Sequence, residues 1–159
     1  MEFITINEYF YKLFSRLLLL LIAPIMSFVM LYVLTPEANT DSFAVTQIRA
    51  YVIVSVACLW LIAVVFSIKK IKSARKGQGL RAKLQKYFQL TIVRYSLLTI
   101  ACLILAVGFF FTLDNNYLYG FLFHMTIAAA LWPHGPRVAA ELKLRGDERE
   151  MIYYRKDHL

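Results

Sequence analysis

Four long apolar runs, at about 13–34, 48–68, 87–113 and 117–132, leave this 159-residue chain little choice of fold. Crossing a hydrocarbon layer about 30 Å thick takes roughly 20 mostly apolar residues at about 1.5 Å of helical rise each. All four runs come close to that length. Lipid offers no partner to a backbone amide or carbonyl, so each run has to be helical. The chain is 60% hydrophobic and 18% charged, more apolar than the roughly 45–50% of a soluble domain. The expected fold is therefore all-α: an integral membrane four-helix bundle over 1–134, followed by a short amphipathic, helical tail over 135–159.

The connections between the runs are sorted by charge. Lys69, Lys70, Lys72, Arg75, Lys76, Arg81, Lys83 and Lys86 place eight cations and no acid between the second and third runs. The 35–46 and 114–116 connections carry only the acids Glu37, Asp41 and Asp114. Short loops biased in this way orient a membrane protein with its basic side in the cytoplasm. The expectation is an N-in/C-in, multi-pass protein of a bacterial-type inner (plasma) membrane, with both termini and the tail cytoplasmic. The net charge of +8 then reports on orientation and on attraction to an anionic leaflet, worth about 1 kcal/mol per basic residue near the surface. Nucleic-acid binding is a poor account of it. The eight cations are candidate contacts for anionic lipid or for a partner protein, set against a solvated loop that only fixes orientation.

Local signals divide the chain further. Thr5-Ile6-Asn7-Glu8 fits a capping box. The aromatic stretch after it reads either as a helix along the inner interface or as an extension of the first span. Lys12 and Arg16 precede a Leu-rich stretch, as in a signal peptide, but no small-x-small cleavage site follows, so the stretch reads as a retained span. Pro24 removes an amide in mid-span, a defect that Ser27 is placed to relieve locally. Gly77-Gln78-Gly79 reads as a turn between two basic helical extensions. Asp114-Asn115-Asn116 is short enough to force a tight antiparallel hairpin, with an Asn available to cap the fourth helix. In the tail, Pro136 suits the first turn of a helix reaching about Arg145, with Gly146 as its stop. Asp147 and Glu150 have the spacing of a second helix start, although Met151–Tyr154 also fits an extended segment.

Few residues offer chemistry. His124 falls near mid-span on a face shared with Gly120 and Ala128, small residues that let helices approach. It reads as a proton carrier, a ligand contact or a metal ligand, or else as a neutral imidazole hydrogen-bonded to a neighbouring Ser, Thr or Tyr. Arg94 lies deepest of the arginines; snorkelling to the headgroups explains it, as it explains Arg16 and Arg49, and a pair with a tail carboxylate such as Glu141 is the alternative. Cys58 and Cys102 have neither metal nor Cys-x-x-Cys spacing and read as small apolar residues. His134 and His158 fall on the cytoplasmic side, away from His124, which disfavours a haem held by two histidines. The chain contains no Gly-rich phosphate loop, zincin pair or Gly-x-Ser-x-Gly. No catalytic residue, metal or cofactor is expected. The reading that fits is a non-catalytic subunit, scaffold or assembly partner of a membrane complex, bound to lipid and to other membrane subunits or copies of itself. The alternative is an oligomeric small-solute transporter or channel with His124 on the route.

Overall fold

The computed structural model describes residues 5–34 and 42–155, and among them every regular element is a helix. In chain order these are α1 (Ile6–Leu34), α2 (Ser42–Arg75), α3 (Leu80–Thr112), α4 (Asn115–Ala130), α5 (Gly135–Leu142) and α6 (Gly146–Tyr154). Three of them, α1, α2 and α3, are long and apolar enough to cross a membrane. The chain thus has the make-up of a membrane protein. At 16 residues, α4 has the length of the fourth run in the sequence, set two residues earlier, and is shorter than the other three long helices. Glu2, Glu37, Asp41, Asp157 and His158 lie outside the described residues.

Helix α1 starts where the sequence signals it, with the Glu8 amide donating to Thr5 Oγ1 at 3.1 Å. The helix is unbroken from there, so the aromatic stretch extends the first span and is not a separate interfacial helix. Ile6, Tyr9, Phe10, Leu13, Leu17 and Phe28 are buried at helical spacing along one face. Helices α2 and α3 differ sharply in burial: 6% of the most apolar stretch of α2 is buried, against 56% for α3. Gly79, at φ +84°, makes the turn between them in a conformation that a side chain resists.

Two compact units emerge. The first draws on residues up to Leu18, on Val64–Arg94 and on Trp132 onward. Its core brings Tyr9 edge-on to Phe88, Phe14 against Trp132, and the tail residues Val138, Leu142 and Ile152 into burial. The second comprises Leu19–Ala63 and Tyr95–Leu131. Phe28, stacked on Phe121 at 4.4 Å and tilted against Phe109 at 5.3 Å, anchors a core that includes Cys102, Leu105, Ala106 and Tyr117. Gly108 lets α3 and α4 close up, since a Cβ there would stand 2.8 Å from the Tyr117 ring.

Three local expectations need correction. Ser27 does not repair the Pro24 defect: its hydroxyl donates to Ala23 O. The carbonyl that Pro24 leaves without an amide is that of Leu20, four residues earlier, and Thr99 Oγ1 of α3 donates to it at 2.9 Å. The cap of α4 is Asp114 and not an Asn; its side chain accepts from the Asn116 amide at 3.0 Å. Gly146 does not stop α5. The helix ends at Leu142, Lys143 takes the left-handed conformation, and Leu144 N donates to Ala139 O, a Schellman ending. Leu142 and Leu144 would fall on nearly opposite faces of a continued helix, whereas this ending buries both. Gly146 opens α6 instead, which runs as a helix through Met151–Tyr154.

Thr99→Val should cost about 1 kcal/mol in unfolding from detergent micelles, the scale of interhelical hydrogen bonds in membranes. In a Pro24→Ala background, where an amide is restored to Leu20 O, the same change should cost close to nothing. Equal costs in the two backgrounds would show that the bond is not coupled to the proline.

The carboxyl of Asp114 is held below the usual carboxylate range, first by the Asn116 amide and then by Arg49. Its charge therefore stabilises the folded state in full above the unfolded value of about 3.9, and that contribution is lost as pH falls through the lower folded value. Asp114→Asn, which keeps a capping side chain, should melt lower than the parent at pH 6, and the gap should close on acidification below about pH 4.

Candidate functional site

Each unit pairs polar groups of its apolar helices within itself. In the second unit α4 turns Tyr117, Phe121, His124 and Ala128 inward at helical spacing. The structure places His124 at 5% exposure, with Trp60 Nε1 of α2 donating to its Nε2 at 2.8 Å. Its Nδ1 lies 2.7 Å from Gly120 O, one turn earlier on its own helix. An indole nitrogen only donates, so Nε2 must accept; the proton then sits on Nδ1 and goes to the Gly120 carbonyl. Both ring nitrogens are used, and the imidazole is a neutral strut between α2 and α4. The sequence anticipated a Ser, Thr or Tyr partner. A tryptophan takes that role instead, and no local pattern distinguishes it.

Two more bonds in this unit satisfy polar groups on apolar helices. Tyr95 Oη donates to Ala128 O at 2.7 Å, giving a partner to a carbonyl in the last turn of α4. Arg49 of α2 reaches Asp114 at the α3–α4 connection, at 2.5 Å. Arg49 is thus drawn to a carboxylate and not merely to headgroups. Cys58 is exposed and Cys102 buried, and both are free thiols.

In the first unit the hub is Glu141 of α5. Arg137 Nε donates to its Oε1 at 2.9 Å, one helical turn away. Arg94 of α3, only 8% exposed, stands 3.5 Å from both carboxylate oxygens and also donates to Ser67 Oγ of α2 at 3.1 Å. Tyr87, fully buried, lies close enough to this carboxylate to feel its charge. Arg75 donates to the Glu141 carbonyl at 2.9 Å, and Lys83 pairs with Glu148 of α6 at 2.7 Å. Of the two readings of Arg94, the geometry is that of the tail-carboxylate pair. The sequence offers the Arg94–Glu141 pair only as an alternative to snorkelling, and gives no sign of the roles of Ser67 and Arg75.

His124 and Arg94 belong to different units, and each has its own partners. Of the eight basic residues, Arg75 and Lys83 hold the tail, while Lys70 and Lys86 open on a groove lined by α2 and α3. Lys69, Lys72 and Arg81 are exposed on the same two helices, as is Lys76 just past the end of α2. Among the described residues no group of His, Cys, Asp or Glu has the arrangement of a metal site. Comparison with protein families, curated proteins and solved structures finds no match to this chain.

His124→Leu should cost about 1 kcal/mol of stability in micelles by orphaning the Trp60 N–H. Trp60→Phe should cost a similar amount alone and little more when added to His124→Leu. Strictly additive losses would separate the two side chains and remove the strut.

Proposed function

We propose that this chain is a non-catalytic integral membrane protein that crosses the bilayer four times, with both ends in the cytoplasm of a bacterial-type inner membrane. It serves as a subunit, scaffold or assembly partner of a larger membrane complex. The observation that carries the reading is the bareness of α2: an apolar helix of which the chain itself covers very little. Its exposed Tyr51, Ile53, Val54, Leu61 and Ile62 form an apolar surface suited to lipid and to another transmembrane segment.

The even number of crossings draws support from the first unit. The start of α1, the basic connection and the tail belong to one compact body, tied by Lys83–Glu148 and Arg75–Glu141. A chain whose beginning, middle and end meet on one side must return each time it leaves. With α3 long enough to cross, α4 is the segment that brings the chain back. The sorted charges give the side, because the basic connection belongs in the cytoplasm. The transport alternative draws less support from the same geometry, since His124 has no ring nitrogen left for a passing solute.

Extraction in a mild detergent should recover a second membrane protein in fixed stoichiometry, and a cysteine placed on the bare face by Val54→Cys should cross-link to it. Repeated recovery of a bare monomer with no cross-link would overturn the reading. Lys76→Cys should react with a membrane-impermeant maleimide only from the cytoplasmic side; labelling from the outer side would reverse the topology.

A further inference from the structure

The cations of the α2–α3 connection have two fates in the first unit. Arg75 and Lys83 are taken up by the tail. Lys70 and Lys86 instead line a groove of about 480 Å³, to which α2 contributes Phe66 and Ser73 and α3 contributes Gln89, Leu90 and Val93. Residues 66, 70 and 73 are spaced to share one face of α2, and 86, 89, 90 and 93 to share one face of α3. The helices run antiparallel from the Gly77–Gly79 turn, so Ser73 and Lys86 sit nearest that turn. Phe66 and Val93 lie seven residues farther along, about 10 Å at helical rise. The groove is therefore graded, with cations and hydrogen-bond donors at the turn end and hydrocarbon at the other.

We propose that this groove binds one anionic glycerophospholipid. The phosphodiester sits between Lys70 and Lys86 with the Ser73 hydroxyl and the Gln89 amide as further donors, and an acyl chain runs over Phe66, Leu90 and Val93. Charge complementarity selects the ligand. No acid lines the groove, and among the described residues neither lysine has an ion-pair partner. Lys70 Nζ stands 5.7 Å from the Phe66 ring centroid, which holds the ammonium where the polar and apolar halves meet. A free phosphate would satisfy the lysines and make no use of the apolar half; a zwitterionic lipid would bring its own cation against them. The inference rests on the membrane reading of α1–α3 and is independent of any protein partner.

Native mass spectrometry of the full chain in micelles tests this, with phosphatidylglycerol titrated against phosphatidylcholine of the same chains and against water-soluble glycerophosphoglycerol. One phosphatidylglycerol per chain should be retained at least about tenfold more tightly than either competitor. The double variant Lys70→Gln/Lys86→Gln should lose that preference, whereas Lys69→Gln/Lys72→Gln, with the same charge change outside the groove, should keep it within about twofold. Val93→Ser should weaken the lipid and leave the soluble analogue unaffected. Equal losses in the two double variants would reduce the effect to general surface charge, and equal retention of phosphatidylcholine would remove the phosphodiester site. Tight binding of the soluble analogue would replace lipid with a free headgroup. Should the groove double variant not fold, Lys70→Gln and Lys86→Gln singly should each lose about threefold, and no loss in either would overturn the site. Failure of the membrane reading would show separately, as protein soluble without detergent.

Discussion

A polar group on an apolar helix has to find its partner within the protein, and this requirement organises the structure. Hydrocarbon supplies no hydrogen bond, and an unpaired amide or carbonyl there costs several kcal/mol. Pro24 creates such a vacancy in α1, and Thr99 of α3 fills it. Trp60 and His124 satisfy each other across α2 and α4, and Tyr95 takes a carbonyl near the end of α4. Each bond is modest, about 0.6 kcal/mol on average for interhelical pairs in membranes. Their effect is specificity: they select one pairing among helices whose apolar surfaces would otherwise slide past one another.

The first unit solves the same problem with charge. Arg94 is nearly buried, and a lone buried guanidinium is expensive. Glu141, brought in from a short tail helix, neutralises it, while Arg137 pairs with the same carboxylate. The tail is thus part of the folded protein: Leu142, Leu144 and Ile152 are buried, and the Schellman ending of α5 exists to turn two of them inward.

How much of this the sequence revealed depends on range. Helices α1 to α3 follow from the length and composition of apolar runs, which are local properties. The basic connection and its glycine turn were equally legible. Hydrophobic periodicity says which face points inward, but not which residues meet there, so partners distant in sequence stayed hidden. Ser27 was the local candidate for Pro24; the donor, Thr99, lies 79 residues from Leu20. His124 was singled out as the odd residue of α4, but its partner is 64 residues away. At Gly146 the local rule that glycine ends a helix gave way to the burial of Leu144, a tertiary effect with no mark in the nearby residues.

The shortness of α4 has a consequence for the surroundings. Its 16 residues rise about 24 Å, some 6 Å less than a typical hydrocarbon layer. In the four-crossing arrangement proposed above, it would meet that layer with too little length at one end or both. The mismatch is relieved where lipid tails compress around the α3–α4 hairpin or where the leaflet is thin to begin with. That arrangement would write a preference for membrane thickness into one helix, favouring regions of short-chain or disordered lipid over rigid, thick ones.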